Sequence, residues 1–320
     1  MTTTVSAVPK KVTWQPFAVL AIGLLATSSA SIFIRFAQEE GAPSLVISAW
    51  RLVVATLILT PIVLARHRQE LRTLNRNQIG LAMLAGLLLT VHFASWITSL
   101  EYTSVLISVT LVTTNPLFVA VLSPLLLGEK ITQKTIGAVV LALIGGVIIT
   151  AAGGAGSAPK QDSPLLGAVL SLIGSVAVAL YFIIGRRLRA TMSVIPYIWL
   201  TYGAGAIALV ILVILAGQLP VVFDGSLSAR AYLFMTLTAL LPQLIGHSAY
   251  NYALGYLSAA FVSLSVLFEP IGSTILAVFA FEEQPTLIQI GGGVAILIAL
   301  WIASREERRK ELRSRVELEP

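Results

Sequence analysis

The amino-acid sequence predicts an all-α integral membrane protein of ten transmembrane helices, arranged as two inverted five-helix repeats. Three observations carry that expectation: an extreme apolar composition, an internal repeat of about half the chain, and a one-sided distribution of basic residues. Hydrophobic residues make up 57% of the 320 positions and charged residues 11%, with mean hydropathy +0.90. A water-facing domain carries about 25% charged residues, so most of this surface faces another medium. The repeat is direct. Tyr102 to Pro116 reads YTSVLISVTLVTTNP and Tyr256 to Pro270 reads YLSAAFVSLSVLFEP, a shift of 154 that also pairs Glu129 with Glu283 and Gly137 with Gly291. Duplicated units in lipid are the sequence sign of inverted-repeat carriers.

A helix needs roughly 20 apolar residues to cross the hydrocarbon core. By that measure the spans are 16–36, 45–65, 77–99, 103–126, 131–151, 164–185, 195–216, 229–252, 258–281 and 286–303. Pro16 and Pro164 stand near helix starts, where a missing N–H costs little. Connections as short as Leu100–Tyr102 and Ala253–Leu257 make neighbouring helices antiparallel hairpins. The first repeat covers 16–151 and the second 164–303. A glycine-rich linker at 152–163 joins them, and tails at 1–15 and 304–320 flank them. The N-terminal stretch is polar for too long to be a typical signal peptide.

Charge sets the orientation. With the N-terminus inside, seventeen Lys and Arg residues fall on the cytoplasmic side, at positions such as Lys10, Arg66, Arg76, Lys134, Arg186 and Arg305 to Arg315. Only Arg35, Lys160 and Arg230 fall outside, and Arg51 lies within a span. This is the positive-inside pattern of a plasma (inner) membrane protein with both termini cytoplasmic. It is not a nucleic-acid-binding stripe. Five spans per half is an odd number, so the second copy enters upside down. Solute sites in such proteins lie near the midplane, between the copies.

Ionisable side chains well inside the spans are Arg51, His92, His247 and Glu269. Each costs roughly 2.5–3.5 kcal/mol at a helix centre, so each needs a reason. Glu269 precedes Pro270, whose missing N–H frees a carbonyl one turn back. A carboxylate there suits a substrate ammonium or a coupled proton; the alternative is a kink whose Glu bonds a neighbouring helix. Asn115–Pro116 is its symmetry mate, with kinking the favoured role. Gln243, His247, Tyr250 and Asn251 fall at i, i+4, i+7 and i+8, one polar stripe of a regular helix. His92, Trp96 and Ser99, with Ser95, form the matching stripe in span three, and Trp96 pairs with Tyr250 under the shift. Both stripes serve as cavity lining or as polar contacts between helices. Arg51 lies roughly 9 Å deep at 1.5 Å per residue. It snorkels outward, pairs with a carboxylate such as Glu101, or holds a substrate carboxylate. Glu129, Glu282 and Glu283 stand at span ends as gates or caps. Gly137, Gly145, Gly146 and Gly291 to Gly293 suggest close helix packing or a homodimer contact.

Three stretches carry a family likeness: SAWRLVVA around Arg51, SPLLLGEKIT after span four, and FEP followed by FAFEEQPT through span nine. With the ten spans in a 5+5 repeat, they resemble the drug/metabolite transporter superfamily and, within it, the EamA family. The likeness covers about residues 16–303 and implies export or exchange of small metabolites, often amino acids, through a cavity between the halves. One departure stands out: Asn115 in the first copy faces Glu269 in the second.

The chain contains no cysteine, no HExxH, no G-x-S-x-G elbow and no phosphate loop in a fitting context, so no cofactor, metal site or intramembrane enzyme is expected. The expectation is a secondary transporter of a small organic solute that works in the lipid bilayer. An amino acid with apolar or aromatic character comes first, contacted by Trp96, Tyr181, Trp199, Tyr202 and Tyr250; a sugar or nucleotide-type solute is the runner-up. The charge count yields a test. A single cysteine in place of Ser157 is expected to label with an impermeant maleimide from outside intact cells; labelling only after lysis reverses the orientation.

Overall fold

The computed structural model describes residues 14–102, 105–129, 131–152, 163–269, 271–273, 275–276 and 286–316. Among them all regular structure is helical. The elements are α1 (Gln15–Thr27), α2 (Ala30–Glu39), α3 (Ser44–Arg66), α4 (Arg68–Thr73), α5 (Arg76–Tyr102), α6 (Val105–Val112), α7 (Asn115–Leu127), α8 (Gln133–Ala152), α9 (Pro164–Arg189), α10 (Val194–Leu215), α11 (Ala229–Thr238), α12 (Ser248–Ala253), α13 (Ala259–Ser265) and α14 (Leu287–Val316).

Five helical runs among the described residues are long and apolar enough to cross a membrane: Gln15–Glu39, Ser44–Arg66, Arg76–Tyr102, Leu165–Arg189 and Val194–Leu215. Shorter apolar helices include Asn115–Leu127 and Gln133–Ile148. The polarity of the bundle is inverted relative to a water-soluble protein. Leu57, Val121, Leu125, Ile207 and Leu215 stand exposed on its outside, while Ser48, Arg51, Thr201, Gln243 and Asn251 are fully buried. Lipid tails solvate leucine well and satisfy no hydrogen bond, so the polar groups turn inward.

Packing follows from small residues. α5 lies along α9 and α8 lies along α14; α10 packs on both α3 and α5, and α1 packs on α12. At Gly145 a Cβ would stand 2.6 Å from the Gly292 carbonyl oxygen, so bare backbone lets α8 and α14 meet. Gly86 of α5 similarly lies against the Thr201 carbonyl of α10. The expected close approach at Gly137 and Gly291 does not occur among the described residues: neither has a neighbour within 4 Å of a Cβ position, since both sit on the outward side of their helices.

Several expected continuous spans are interrupted. The first breaks at Ser28–Ser29, because three successive hydroxyls (Thr27, Ser28 and Ser29) donate to the carbonyls of Leu24 and Ala26 and compete with the helical ladder. The fourth breaks at Thr113–Thr114, whose hydroxyls bond the Val109 and Leu111 carbonyls, and Pro116 sits in the first turn of α7. The eighth is π-helical over Ala239–His247 around the internal Pro242. In the ninth, a 3-10 turn at Val266–Phe268 precedes Glu269.

The tenth runs past its expected end at 303 to Val316. Glu306 there meets Lys134, and Glu307 accepts from the backbone N–H and hydroxyl of Ser258. The first part of the expected C-terminal tail is therefore helix docked onto the bundle, because its carboxylates find donors. Pro270, Glu282, Glu283 and the linker at 153–162 lie outside the described residues.

The glycine geometry predicts a contrast. Gly145→Ala is expected to lower stability in detergent by about 1–3 kcal/mol, because the Gly292 backbone has no way to retreat without parting the helices. Gly137→Ala, facing open space, is expected to leave the melting temperature unchanged or slightly raised.

Candidate functional site

The interruptions converge on one cavity. The break between α1 and α2 supplies Thr27 and Ala30, and the break before α7 supplies Val112, Thr113 and Asn115. From α3 comes Arg51, from α5 His92 and Trp96, and from α9 Val178 and Phe182. His247 ends the π-helical turn, Tyr250 follows on α12, and Val266 and Glu269 complete the wall.

Two charged groups organise it. Arg51 is fully buried. Its Nε donates to Gln243 Oε1 at 2.6 Å, and its guanidinium carbon stands 4.1 Å from the centre of the Phe93 ring. Arg51 Nη1 and Nη2 have no hydrogen-bond partner among the described residues. Glu269 accepts from the Tyr250 hydroxyl at 2.8 Å, and that hydroxyl also bonds Thr27 Oγ1. Tyr250 thus links the α1–α2 break to the Glu269 segment.

Aromatic rings form the rest of the wall. His92 is fixed by Nδ1, which donates to the Gly174 carbonyl at 2.9 Å, and stacks on Trp96 with centroids 5.8 Å apart and planes 13° apart. His247 meets Phe93 edge-on at 5.2 Å and leans on Tyr250 at 5.5 Å. The Trp96 indole N–H, His247 Nδ1 and Asn115 Oδ1 are buried with no partner among the described residues. A cavity with that inventory offers donors, one carboxylate and flat apolar faces to a ligand.

The residues expected from sequence divide accordingly. Arg51, His92, Trp96, Asn115, His247, Tyr250 and Glu269 all line the cavity. Gln243, Asn251 and Ser99 do not. Gln243 sits behind Arg51. Asn251 Nδ2 donates to the Tyr181 hydroxyl and to the His247 carbonyl. Ser99 bonds Ser108 and Ser171 between α5, α6 and α9. The single stripe expected on span eight assumed a regular α-helix; the π-helical turn re-aims its members toward three different neighbours.

Arg51 neither snorkels outward nor meets Glu101, which instead accepts from Ser44 Oγ at 2.5 Å. Tyr181 and Tyr202 are buried around Asn251, and Trp199 bonds Thr60; none of the three lines the cavity. Thr27 and Thr113 were missed, although runs of hydroxyl residues inside apolar spans are a readable sign of helix breaks. Phe182, Val178, Val112 and Val266 carry no such sign, because an apolar residue looks the same facing lipid or cavity.

An apolar-coated helical bundle whose interrupted helices wall a charged, aromatic cavity is the architecture of a membrane carrier for small solutes. The chain belongs to the EamA-like transporter family, which it matches over residues 15–151 and again over 165–305. An uncharacterized transporter of Archaeoglobus fulgidus is 26% identical over 289 residues, covering 90% of this chain and 96% of that protein. An uncharacterized transporter of Bacillus subtilis is 23% identical, covering 80% and 83%. A riboflavin transporter of Brucella anthropi is 27% identical over 150 residues, 47% of this chain and 49% of that one. A solved crystal structure shares the fold with a TM-score of 0.74 at 17% identity, over 94% of this chain and all of the other. The relatives are named as transporters, and the chain is a multi-pass membrane protein of that family.

The division between wall and scaffold has a direct test. Cysteines replacing Trp96 or His247 are expected to react with small polar thiol reagents in the purified protein, and cysteines replacing Ser99 or Asn251 are expected to resist them. Asn251→Ala, which strips bonds from Tyr181 and Tyr202, is expected to lower the melting temperature instead, by the equivalent of about 1–3 kcal/mol.

Proposed function

We propose that this protein is a secondary transporter of the inner (plasma) membrane that exports or exchanges a small organic metabolite by alternating access. In this reading ten spans form two inverted five-helix repeats with both termini cytoplasmic, and the solute binds between the halves. The observation that carries it is the cavity itself: Arg51 from the first half and Glu269 from the second line one aromatic-walled space. Opposite charges beside flat apolar faces suit a zwitterion with an apolar side chain, such as an amino acid.

The repeat reading is supported by packing as well as sequence. Gly23 of α1 lies against Ala249 and Gly246, and Gly174 of α9 lies against Ser95 and His92. Ala249 and Ser95, and Gly246 and His92, are mates under the shift of 154. Two copies of one packing unit favour two related end states, which is what rocking between them requires.

A second reading is a planar heteroaromatic solute. The parallel His92–Trp96 stack favours it, and the Brucella anthropi relative is named for riboflavin. Uptake into reconstituted vesicles across labelled amino acids, sugars, nucleosides and riboflavin, with and without a pH gradient, separates the two. No transport of any solute would sink both.

Glu269→Gln then resolves the role of the carboxylate. A proton carrier loses pH-driven accumulation and keeps solute counterflow. A direct ligand for a substrate ammonium shows an apparent binding constant raised about tenfold or more in every assay. A purely architectural Glu269, bonded to Tyr250, leaves rate, affinity and pH dependence as in the wild type.

A further inference from the structure

We infer that Arg51 is the anion anchor of the cavity, and that the transported solute carries a planar carboxylate which docks on the outer edge of its guanidinium. The inference rests on the transport reading above and specifies the chemistry of its solute.

The argument begins with what Arg51 does not do. A buried guanidinium that serves only structure has its donors taken up by acceptors, because an unpaired charge in a low-dielectric interior is strongly disfavoured. Here Gln243 takes only the Nε–H, and Phe93 covers one face of the plane. The Nη1 and Nη2 groups are buried with no partner among the described residues, and Arg51 is one of the residues that line the cavity. The fold therefore immobilises the inner end of the group and leaves the other donors unspent.

Those donors form a flat fork that matches the two oxygens of a carboxylate. Gln243 is a positioning residue: it fixes the guanidinium through Nε and stays off the cavity wall. Glu269 lines the same cavity, yet no hydrogen bond joins it to Arg51 Nη1 or Nη2 among the described residues; its Oε1 accepts from Tyr250, which is itself tied to Thr27. Among the described lining residues Arg51 is the only Lys or Arg. One cation suits a monoanionic carboxylate better than a phosphate dianion, which takes a cluster of Lys and Arg. The aromatic wall of His92, Trp96, His247 and Tyr250 then receives the apolar body of the same solute.

Binding to the purified protein is measured by calorimetry, with acetate, benzoate and 3-phenylpropionate each compared with its neutral amide. The wild type is expected to bind at least one carboxylate about tenfold or more tighter than its amide. Arg51→Gln is expected to abolish that preference. Gln243→Glu keeps the arginine and the side-chain shape but supplies an internal counter-ion, and is expected to do the same; it decides the matter if Arg51→Gln does not fold. Equal binding of carboxylates and amides by the wild type, or binding of neither, overturns the anchor. So does a folded Gln243→Glu protein with wild-type carboxylate affinity. Carboxylate binding that depends on Arg51, without uptake of any solute into vesicles, upholds the anchor and counts against the transport reading alone. Uptake of uncharged solutes with no carboxylate preference does the reverse.

Discussion

Hydrocarbon satisfies no hydrogen bond, and that one constraint arranges everything else in this molecule. It lets side chains such as Leu57 and Ile207 face outward and draws deep polar groups such as Arg51, Gln243 and Asn251 into the bundle. The Arg51–Gln243 bond is the clearest product. It joins α3 to the π-helical turn between α11 and α12 across 192 positions of sequence. Only in a dry interior is such a pair both necessary and rigid.

The same constraint explains why the helices break where they do. A free carbonyl or N–H facing lipid is costly, so an interruption is tolerated only where protein or a polar cavity surrounds it. The hydroxyls of Thr27, Ser28, Thr113 and Thr114 take up carbonyls beside the two breaks in the first half of the chain. Pro242 and the 3-10 turn before Glu269 disturb the ladder in the second half. These irregular stretches border a single cavity, and the regular helices α3, α5 and α9 supply the rest of its wall. Irregular backbone and the cavity coincide because they need the same surroundings.

The two halves supply different chemistry to that shared space. Arg51 comes from the first; Glu269 comes from the second and has Asn115 as its mate. Trp96 and Tyr250, by contrast, keep an aromatic in both copies, and both line the wall. Packing positions thus stay similar while charged positions diverge. Such a cavity is chemically different at its two ends, which a chemically symmetric pair of repeats would not be.

Composition, periodicity and the repeat were enough to read an all-helical membrane protein from the chain alone, because hydropathy and local spacing are properties of the residues themselves; its family came from the resemblance of stretches such as SPLLLGEKIT to a known one. Deep charges were legible for a similar reason: Arg51, His92, His247 and Glu269 are too costly in lipid to be incidental, and all four line the cavity. The destination of each polar side chain was not legible. Gln243, His247 and Asn251 share one face of an ideal helix, yet the π-helical turn sends them to Arg51, to the cavity and to Tyr181. Phe182 and Val178 face the cavity while Leu57 and Ile207 face outward, a difference no side-chain chemistry announces. Rotation about a helix axis is set by neighbouring helices, through contacts such as Gly86 on Thr201 and Gly145 on Gly292. Those contacts exist only once distant segments have packed, so the tertiary structure alone decided which polar groups face the cavity and which hold the bundle together.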